Sequence, residues 1–216
     1  MKIEINVPTS LSEITLGQYQ KFVKISENNP EGNFLDAKMI EIFCGIPLSE
    51  SYKLRISSVA AILDILNELL SGTPEHVERF TMQGVEYGFV PDLDDMSLGE
   101  YISLDESVSK WDAMTDAMHV LYRPIKNSNK DKYSIEEYKV EGHEVLENMP
   151  LSAVFGSLFF FLNLGTELSS HTILYSNKED KEAIQNLLTS RQNGVGINQF
   201  MDSLQDVLKN LKISLN

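Results

Sequence analysis

The four histidines and the single cysteine are the first residues to weigh for chemistry, because imidazoles and thiolates supply most metal ligands and nucleophiles in proteins. The histidines are His76, His119, His143 and His171. None of them stands at a short metal-ligand spacing from another histidine or from Cys44. Cys44 lies in the apolar stretch MIEIFCGI, and His119 lies between two apolar residues of a helical stretch. Both patterns predict packing roles.

The carboxylates form no recognisable catalytic or metal-binding pattern. Asp92, Asp94 and Asp95 occur in PDLDD, but the glycine and closing glutamate of a calcium loop are not at the required offsets. An acidic approach to a helix N-terminus, which the helix dipole favours, is the better interpretation. The GVG at 194–196 lacks the third glycine of a dinucleotide site. We therefore expect no catalytic residue, no metal and no cofactor, and we expect that the protein is not an enzyme.

Net charge and hydropathy also restrict the classes of partner that we expect for the protein. The chain has 216 residues, with 18 Lys and Arg against 32 Asp and Glu, a net charge of -14. Such a surface repels phosphate backbones, so we expect no direct nucleic-acid binding. The longest apolar run, AVFGSLFFFLNLG at 153–165, is shorter than the roughly 18 to 20 residues of a spanning helix. We expect neither a membrane span nor a signal peptide.

A short phrase occurs twice in the sequence. EITLGQY stands at 13–19 and DMSLGEY at 95–101. Each copy follows a stretch that alternates like a strand and ends in a proline, Pro8 in the first case and Pro91 in the second. Two copies of a strand, proline, loop and helix indicate paired scaffolding rather than a repeat array.

Both copies of the phrase carry the signals of a helix start. Thr15 and Ser97 are favourable N-cap residues, and Gln18 and Glu100 follow three residues later, which completes a capping box in each copy. The apolar pairs expected to staple these ends are Ile14 with Tyr19 and Met96 with Tyr101. The glycines at the second helical position, Gly17 and Gly99, predict close packing of another chain segment.

Periodicity along the rest of the chain predicts a mainly α (α+β) fold: a helical domain with a small antiparallel β-hairpin or sheet. The predicted helices are about Thr15–Glu27, about Leu35–Phe43, SSVAAILDILNELLSG at 57–72, the helix from Ser97, KWDAMTDAMHVLYRPI ended by Pro124, Leu151–Leu164, NKEDKEAIQNLLTS at 177–190 and a C-terminal amphipathic helix. The hairpin covers about Glu78–Val90, with Gly84 at its turn.

The domain organisation has two alternatives. The first is a single mainly helical domain over 1–216. The second is two lobes, 1–125 and 133–216, joined by the polar loop 126–132. The helix 151–164 is apolar nearly all round, so it is either the central core helix, which we favour, or a helix that docks into a neighbouring subunit.

Three motifs resemble those of small proteins encoded among the virion-structure genes of tailed bacteriophages. They are MSLGEYISLD, VLYRPI and MPLSAVFGSLFFFLNLG, and they are scattered over about Leu16–Gly165. The resemblance implies a non-enzymatic structural component of the particle, at the neck ring, the capsid or the tail. It implies assembly in the host cytoplasm, location in the virion, other phage structural proteins as partners, and homo-oligomerisation. The alternative is a transient tail or baseplate assembly chaperone that is absent from the mature virion.

The C-terminal segment Asn198–Asn216 is the first candidate for a partner-binding surface. An apolar stripe runs along its predicted helix, and NGVG precedes it as a permissive hinge. The stripe consists of Phe200, Leu204, Val207, Leu208 and Leu211. The alternative is that this stripe faces the protein's own core, in which case the 78–90 hairpin is the next candidate.

Overall fold

The computed structural model describes residues 5–130 and 132–176. The helices are α1 (Leu16–Ser26), α2 (Asn33–Cys44), α3 (Leu48–Ser51), α4 (Ile56–Leu70), α5 (Leu98–Ser107), α6 (Met114–Leu121) and α7 (Leu151–Ser176). The strands are β1 (Arg79–Met82), β2 (Val85–Phe89), β3 (Tyr122–Asn129) and β4 (Lys132–Ile135). Short 3₁₀ helices cover Leu11–Glu13, Trp111–Ala113 and His143–Asn148. The predicted helical α+β fold with a small antiparallel sheet is confirmed.

The four strands form one antiparallel sheet in the order β1-β2-β3-β4. The predicted hairpin is its first pair, and Gln83 and Gly84 turn the chain with φ of 51° and 79°. Two consecutive residues with positive φ match the twist of a two-residue hairpin, which is why a glycine is favoured there. Helices α5 and α6 lie between β2 and β3 in the sequence. The chain therefore leaves the sheet after β2, forms the second capped helix and α6, and returns to the sheet at β3.

The first half of α7 is the centre of the core. Val154, Phe155 and Leu158 are completely buried, and the apolar helix is therefore a core element, as favoured from the sequence. The Tyr19 ring of α1 packs edge-on against Trp111 at 4.7 Å and against Phe155 at 5.4 Å, measured between ring centroids. Aromatic pairs in this geometry add to the free energy gained from burial alone. These ring contacts join α1, α7 and the 3₁₀ helix Trp111–Ala113 that precedes α6.

The predicted helix that ends at Pro124 is wrong in its last turn. Helix α6 ends at Leu121, and the chain continues directly into β3, where Tyr87 of β2 is paired with Pro124. The residue before a proline is biased toward extended backbone, so Arg123 lies in a strand instead of near a helix C-terminus.

The predicted polar loop 126–132 is also largely strand. Residues 126–129 belong to β3 and Lys132 begins β4, so the stretch is the end of a hairpin whose turn includes Lys130 at a φ of 55°. Side chains of this hairpin end are polar because they are mostly exposed on the sheet. The proposed division into two lobes remains a prediction. At the N-terminus, residues 5–9 form no strand, contrary to their alternating pattern.

Candidate functional site

Cys44, His76 and His119 occupy packing positions, whereas the partly exposed His143 lies with its Nε2 3.3 Å from Asp116 Oδ1. Cys44 is half-buried at the end of α2, and burial raises the pKa of its thiol to about 11, so the thiol is protonated near neutral pH. His119 Nε2 lies 2.8 Å from the Lys139 carbonyl oxygen. The His76 ring stacks on Phe160 with centroids 4.7 Å apart.

The acidic run before α5 has a local structural role. The Asp94 backbone N–H donates to Asp92 Oδ1 at 3.0 Å, a side-chain turn that leads the chain toward the helix. Among residues 5–130 and 132–176, no three His, Cys, Asp or Glu side chains are grouped closely enough to hold a metal ion.

Both predicted capping boxes are present. In the first copy, the Gln18 N–H donates to Thr15 Oγ1 at 3.2 Å, and the Thr15 N–H donates to Gln18 Oε1 at 2.9 Å. In the second copy, the Glu100 N–H donates to Ser97 Oγ at 3.3 Å, and the Ser97 N–H donates to Glu100 Oε2 at 2.7 Å. Each pair of bonds satisfies backbone donors that have no partner within the helix.

The first copy is covered by the chain itself. The segment 146–150 lies across its start, and the Leu16 N–H donates to the Met149 carbonyl oxygen at 2.9 Å. A side chain on Gly17 would place Cβ only 3.1 Å from the Glu147 carbonyl oxygen. Leu16 is fully buried and Tyr19 is 6% exposed. The close packing predicted for Gly17 is therefore confirmed.

The second copy is open. A Cβ on Gly99 would meet nothing within 4 Å, so the close packing predicted from this glycine is wrong within the described structure. Leu98 is 75% exposed, Tyr101 37% and Ile102 46%. These three residues stand at i, i+3 and i+4, the spacing that places side chains on one face of a helix. We call Leu98, Tyr101 and Ile102 the outer face of α5.

A buried ion pair holds the second copy against the sheet. Arg123 Nη1 of β3 lies 2.7 Å from Glu100 Oε1, and both side chains are 9% exposed. Burial alone would raise the pKa of Glu100, but hydrogen bonds from Ser97 and the charge of Arg123 outweigh it and hold the pKa below 4.5. Arg123 Nε is buried and has no hydrogen-bond partner in the described part of the chain. With the opposite side of α5 held in this way, its apolar outer face points away from the sheet.

The buried ion pair could not be read from the sequence. Glu100 carries a local signal, since it completes the capping box, but nothing in the neighbourhood of Arg123 indicates which carboxylate it meets. The strand that brings Arg123 to α5 was itself predicted as the end of a helix. A buried arginine in a strand, paired across the structure, is a product of tertiary packing.

The other predicted contact surfaces can be placed only in part. Phe200, Leu204, Val207, Leu208 and Leu211 lie outside the described residues. In the 78–90 hairpin, Tyr87 and Phe89 are buried, and Val85 at the turn is 42% exposed. Of the candidates described, the outer face of α5 exposes more apolar surface than the hairpin does.

No protein family, curated protein or solved structure matches this chain in sequence or fold comparisons. None of the helices in the described part of the chain combines the length and apolar character needed to cross a membrane.

Proposed function

We propose that the protein is a non-enzymatic structural component of a tailed-phage particle and that it acts through protein–protein contacts. The resemblance in MSLGEYISLD, VLYRPI and MPLSAVFGSLFFFLNLG suggests the particle. In this proposal the partners are other structural proteins and further copies of the same chain, and assembly takes place in the host cytoplasm.

The outer face of α5 is the observation that carries the contact role. Three large apolar side chains, Leu98, Tyr101 and Ile102, face solvent from a helix whose opposite side is fixed by a buried ion pair. Isolated exposed apolar residues are common on monomeric proteins, but a contiguous apolar helix face more often marks an interface. The face also lies within MSLGEYISLD, one of the three motifs of the resemblance.

Quantitative mass spectrometry of purified virions tests this proposal. A structural component is expected at a fixed copy number relative to the major capsid protein, and the copy number should survive a second density-gradient step. A protein abundant in the infected cell but missing from gradient-purified particles would contradict the structural role and support the assembly chaperone alternative.

A further inference from the structure

We infer that the outer face of α5 is a docking site for a short segment of a partner protein, one that carries both apolar and basic side chains. This inference rests on the proposed contact function and specifies its partner chemistry. The partner segment lies across Gly99 in the way that residues 146–150 lie across Gly17.

The first copy of the phrase shows how such a helix start is covered. The end of the segment 146–150 and the first residue of α7 are bonded on both sides of Thr15: the Leu16 N–H donates to the Met149 carbonyl oxygen at 2.9 Å, and the Leu151 N–H donates to the Ile14 carbonyl oxygen at 2.8 Å. Thr15 and Pro150 form an antiparallel bridge between these bonds. The covering chain can approach this closely because the second helical residue has no side chain.

The apolar side chains on both sides of this contact are removed from water. Leu146 and Met149 of the covering segment are fully buried, as is Leu16 of the helix. The covered unit therefore consists of a capped helix start, a glycine that admits a backbone, and a covering segment whose apolar side chains are buried beside that helix start. This segment is the end of the 3₁₀ helix His143–Asn148 followed by extended backbone at Met149.

The second copy has the same helix start without the cover. Its capping box is intact, the glycine is at the same position, and Leu98 and Tyr101 stand where Leu16 and Tyr19 stand in the first copy. Leu98 is 75% exposed, and no atom of residues 5–130 or 132–176 lies within 4 Å of a Cβ built on Gly99. Ile102 extends the apolar face where the first copy has a glutamine. An isoleucine 46% exposed at this position adds apolar surface for an occupant to bury.

The charge around the second copy indicates which kind of partner segment can bind there. Residues 91–109 contain six acidic residues and no lysine or arginine, whereas residues 13–27 around the first copy contain two of each sign. Among the described residues, the carboxylate that pairs with Arg123 is that of Glu100. Of the remaining acids, Asp92, Asp94 and Asp95 precede the outer face of α5 in the sequence and are exposed. Asp105, half-buried, and Glu106, exposed, follow it on the same helix. Complementarity of charge therefore favours a basic partner segment.

The same comparison disfavours two other occupants. A second copy of this chain has a net charge of -14, so its surface repels the acidic surroundings of α5. The chain's own residues 198–216 contain two aspartates and two lysines and bring no net positive charge. A separate basic protein is the occupant that matches both the apolar face and its rim.

A peptide based on the covering segment provides a defined probe. Residues 144–151 read EVLENMPL, and the probe has both glutamates replaced by lysine. We expect it to bind the full-length, isotope-labelled protein, with backbone amide shifts concentrated at residues 96–106. We also expect weaker binding as salt is added, because screening reduces attraction between exposed charges. The unmodified acidic peptide is the charge control and should bind more weakly.

Two variants test the geometry of the site. Leu98→Ser removes apolar surface, and Gly99→Gln fills the space that the peptide backbone would occupy; each should weaken binding about tenfold or more, the loss expected for a central contact. Ile56→Ser is the matched control, because Ile56 is also the first residue of a helix and is 88% exposed. It should bind the peptide like the wild type. Circular dichroism spectra of all three variants should match that of the wild type.

Several results would overturn the inference. They are no binding of the lysine peptide, equal binding of both peptides, and undiminished binding to Leu98→Ser and Gly99→Gln. A photoreactive residue placed at position 102 supplies an independent test: in the isolated protein, a crosslink to residues 198–216 of the same chain would assign the face to that segment instead.

The peptide and virion experiments can fail separately. Absence from virions together with specific peptide binding rejects the structural role but keeps the docking site. Presence in virions without peptide binding rejects the docking site alone.

Discussion

The two capping boxes close with different side chains, Gln18 in the first and Glu100 in the second, and this difference follows from what lies behind each helix. Gln18 uses its carbonyl oxygen for the cap and its Nε2 to donate to the Ile42 carbonyl oxygen at 2.9 Å. Glu100 uses one carboxylate oxygen for the cap and the other for Arg123. A carbonyl needs a donor and a guanidinium needs an acceptor, so neither residue can replace the other without loss.

Replacing Gln18 by glutamate, or in a second variant Glu100 by glutamine, should therefore destabilise the protein, although the capping bond is kept in each. Gln18→Glu would set a carboxylate oxygen against the Ile42 carbonyl, and we expect a loss of about 1 to 3 kcal/mol in the free energy of unfolding. Glu100→Gln would leave Arg123 buried without its counter-charge, and we expect a loss of about 3 kcal/mol. Urea denaturation at neutral pH measures both.

Glu106→Gln is the matched control for these exchanges, because Glu106 is exposed on the same helix as Glu100. It should change the free energy of unfolding by less than about 0.5 kcal/mol. If Gln18→Glu and Glu100→Gln behave like this control, the second contact of the box residue contributes nothing to stability.

Among the helices, the space around a glycine shows whether another segment of the described chain packs on that helix surface. Gly156 of α7 lies beneath the chain before β1, where an added Cβ would come within 2.5 Å of the Glu75 carbonyl oxygen. Backbone cannot move aside as a flexible side chain can. The glycine therefore permits the loop at residues 75–76 to rest directly on the core helix.

Gly156→Ala should consequently lower stability, although alanine is the better helix former. We expect the clash to cost about 1 to 3 kcal/mol in the free energy of unfolding, as overpacking of a core does. Gly99→Ala is the matched control, since its Cβ meets no described residue within 4 Å. It should be neutral or stabilising by up to about 1 kcal/mol, from helix propensity alone. Thermal unfolding of both variants decides this, and a stabilised Gly156→Ala would contradict the close contact.

The elements also show where prediction from the sequence ends. The capped helix starts, the hairpin turn at Gly84 and the apolar core helix were predicted because each depends on neighbouring residues in the chain. The strand through Arg123 was missed because a proline soon after the apolar stripe is as compatible with a helix end as with a strand. The openness of the second copy was missed because both copies have the same phrase, and the segment 146–150 that covers only the first is far away in the sequence.

For the molecule as a whole, an experiment on residues after 176 has to decide whether they serve association or the core. The buried cluster joins residues from Leu11 to Leu162. If the stripe Phe200, Leu204, Val207, Leu208 and Leu211 serves association, a chain ending at residue 193 should keep a cooperative thermal transition and lose self-association in sedimentation. Loss of the cooperative transition would instead assign that stripe to the core. This prediction is independent of the outer face of α5.

The pH dependence of stability is a further property of the whole fold, because burial affects two histidines in different places. Burial lowers the pKa of His76, against the opposing charge of Glu78, and burial also lowers that of His119. His76 packs between Phe89 and Phe160, and its buried Nδ1 has no hydrogen-bond partner among the residues that the structure describes. In both cases the folded state favours the neutral imidazole.

A lowered histidine pKa fixes the sign of the effect. Stability is fully present above the ordinary pKa of 6.5 and falls as the pH drops below it, because the unfolded chain takes up the proton more readily. The carboxyl of Glu100, whose pKa is also lowered, adds its own loss only below its ordinary value of 4.5. The window between these two values therefore reports mainly on the histidines.

His76→Phe isolates the contribution of one ring. The phenyl group keeps the stacking on Phe160, removes the unpartnered nitrogen and cannot be protonated. We expect the variant to lose less stability than the wild type when the pH is lowered from about 7.5 to about 5, since each unit of pKa shift corresponds to about 1.4 kcal/mol. Urea denaturation across this range measures the slope. The matched comparison is His119→Gln, which removes the other partly buried imidazole and should also flatten the slope. An unchanged slope in both variants would mean that burial of these rings does not control acid stability.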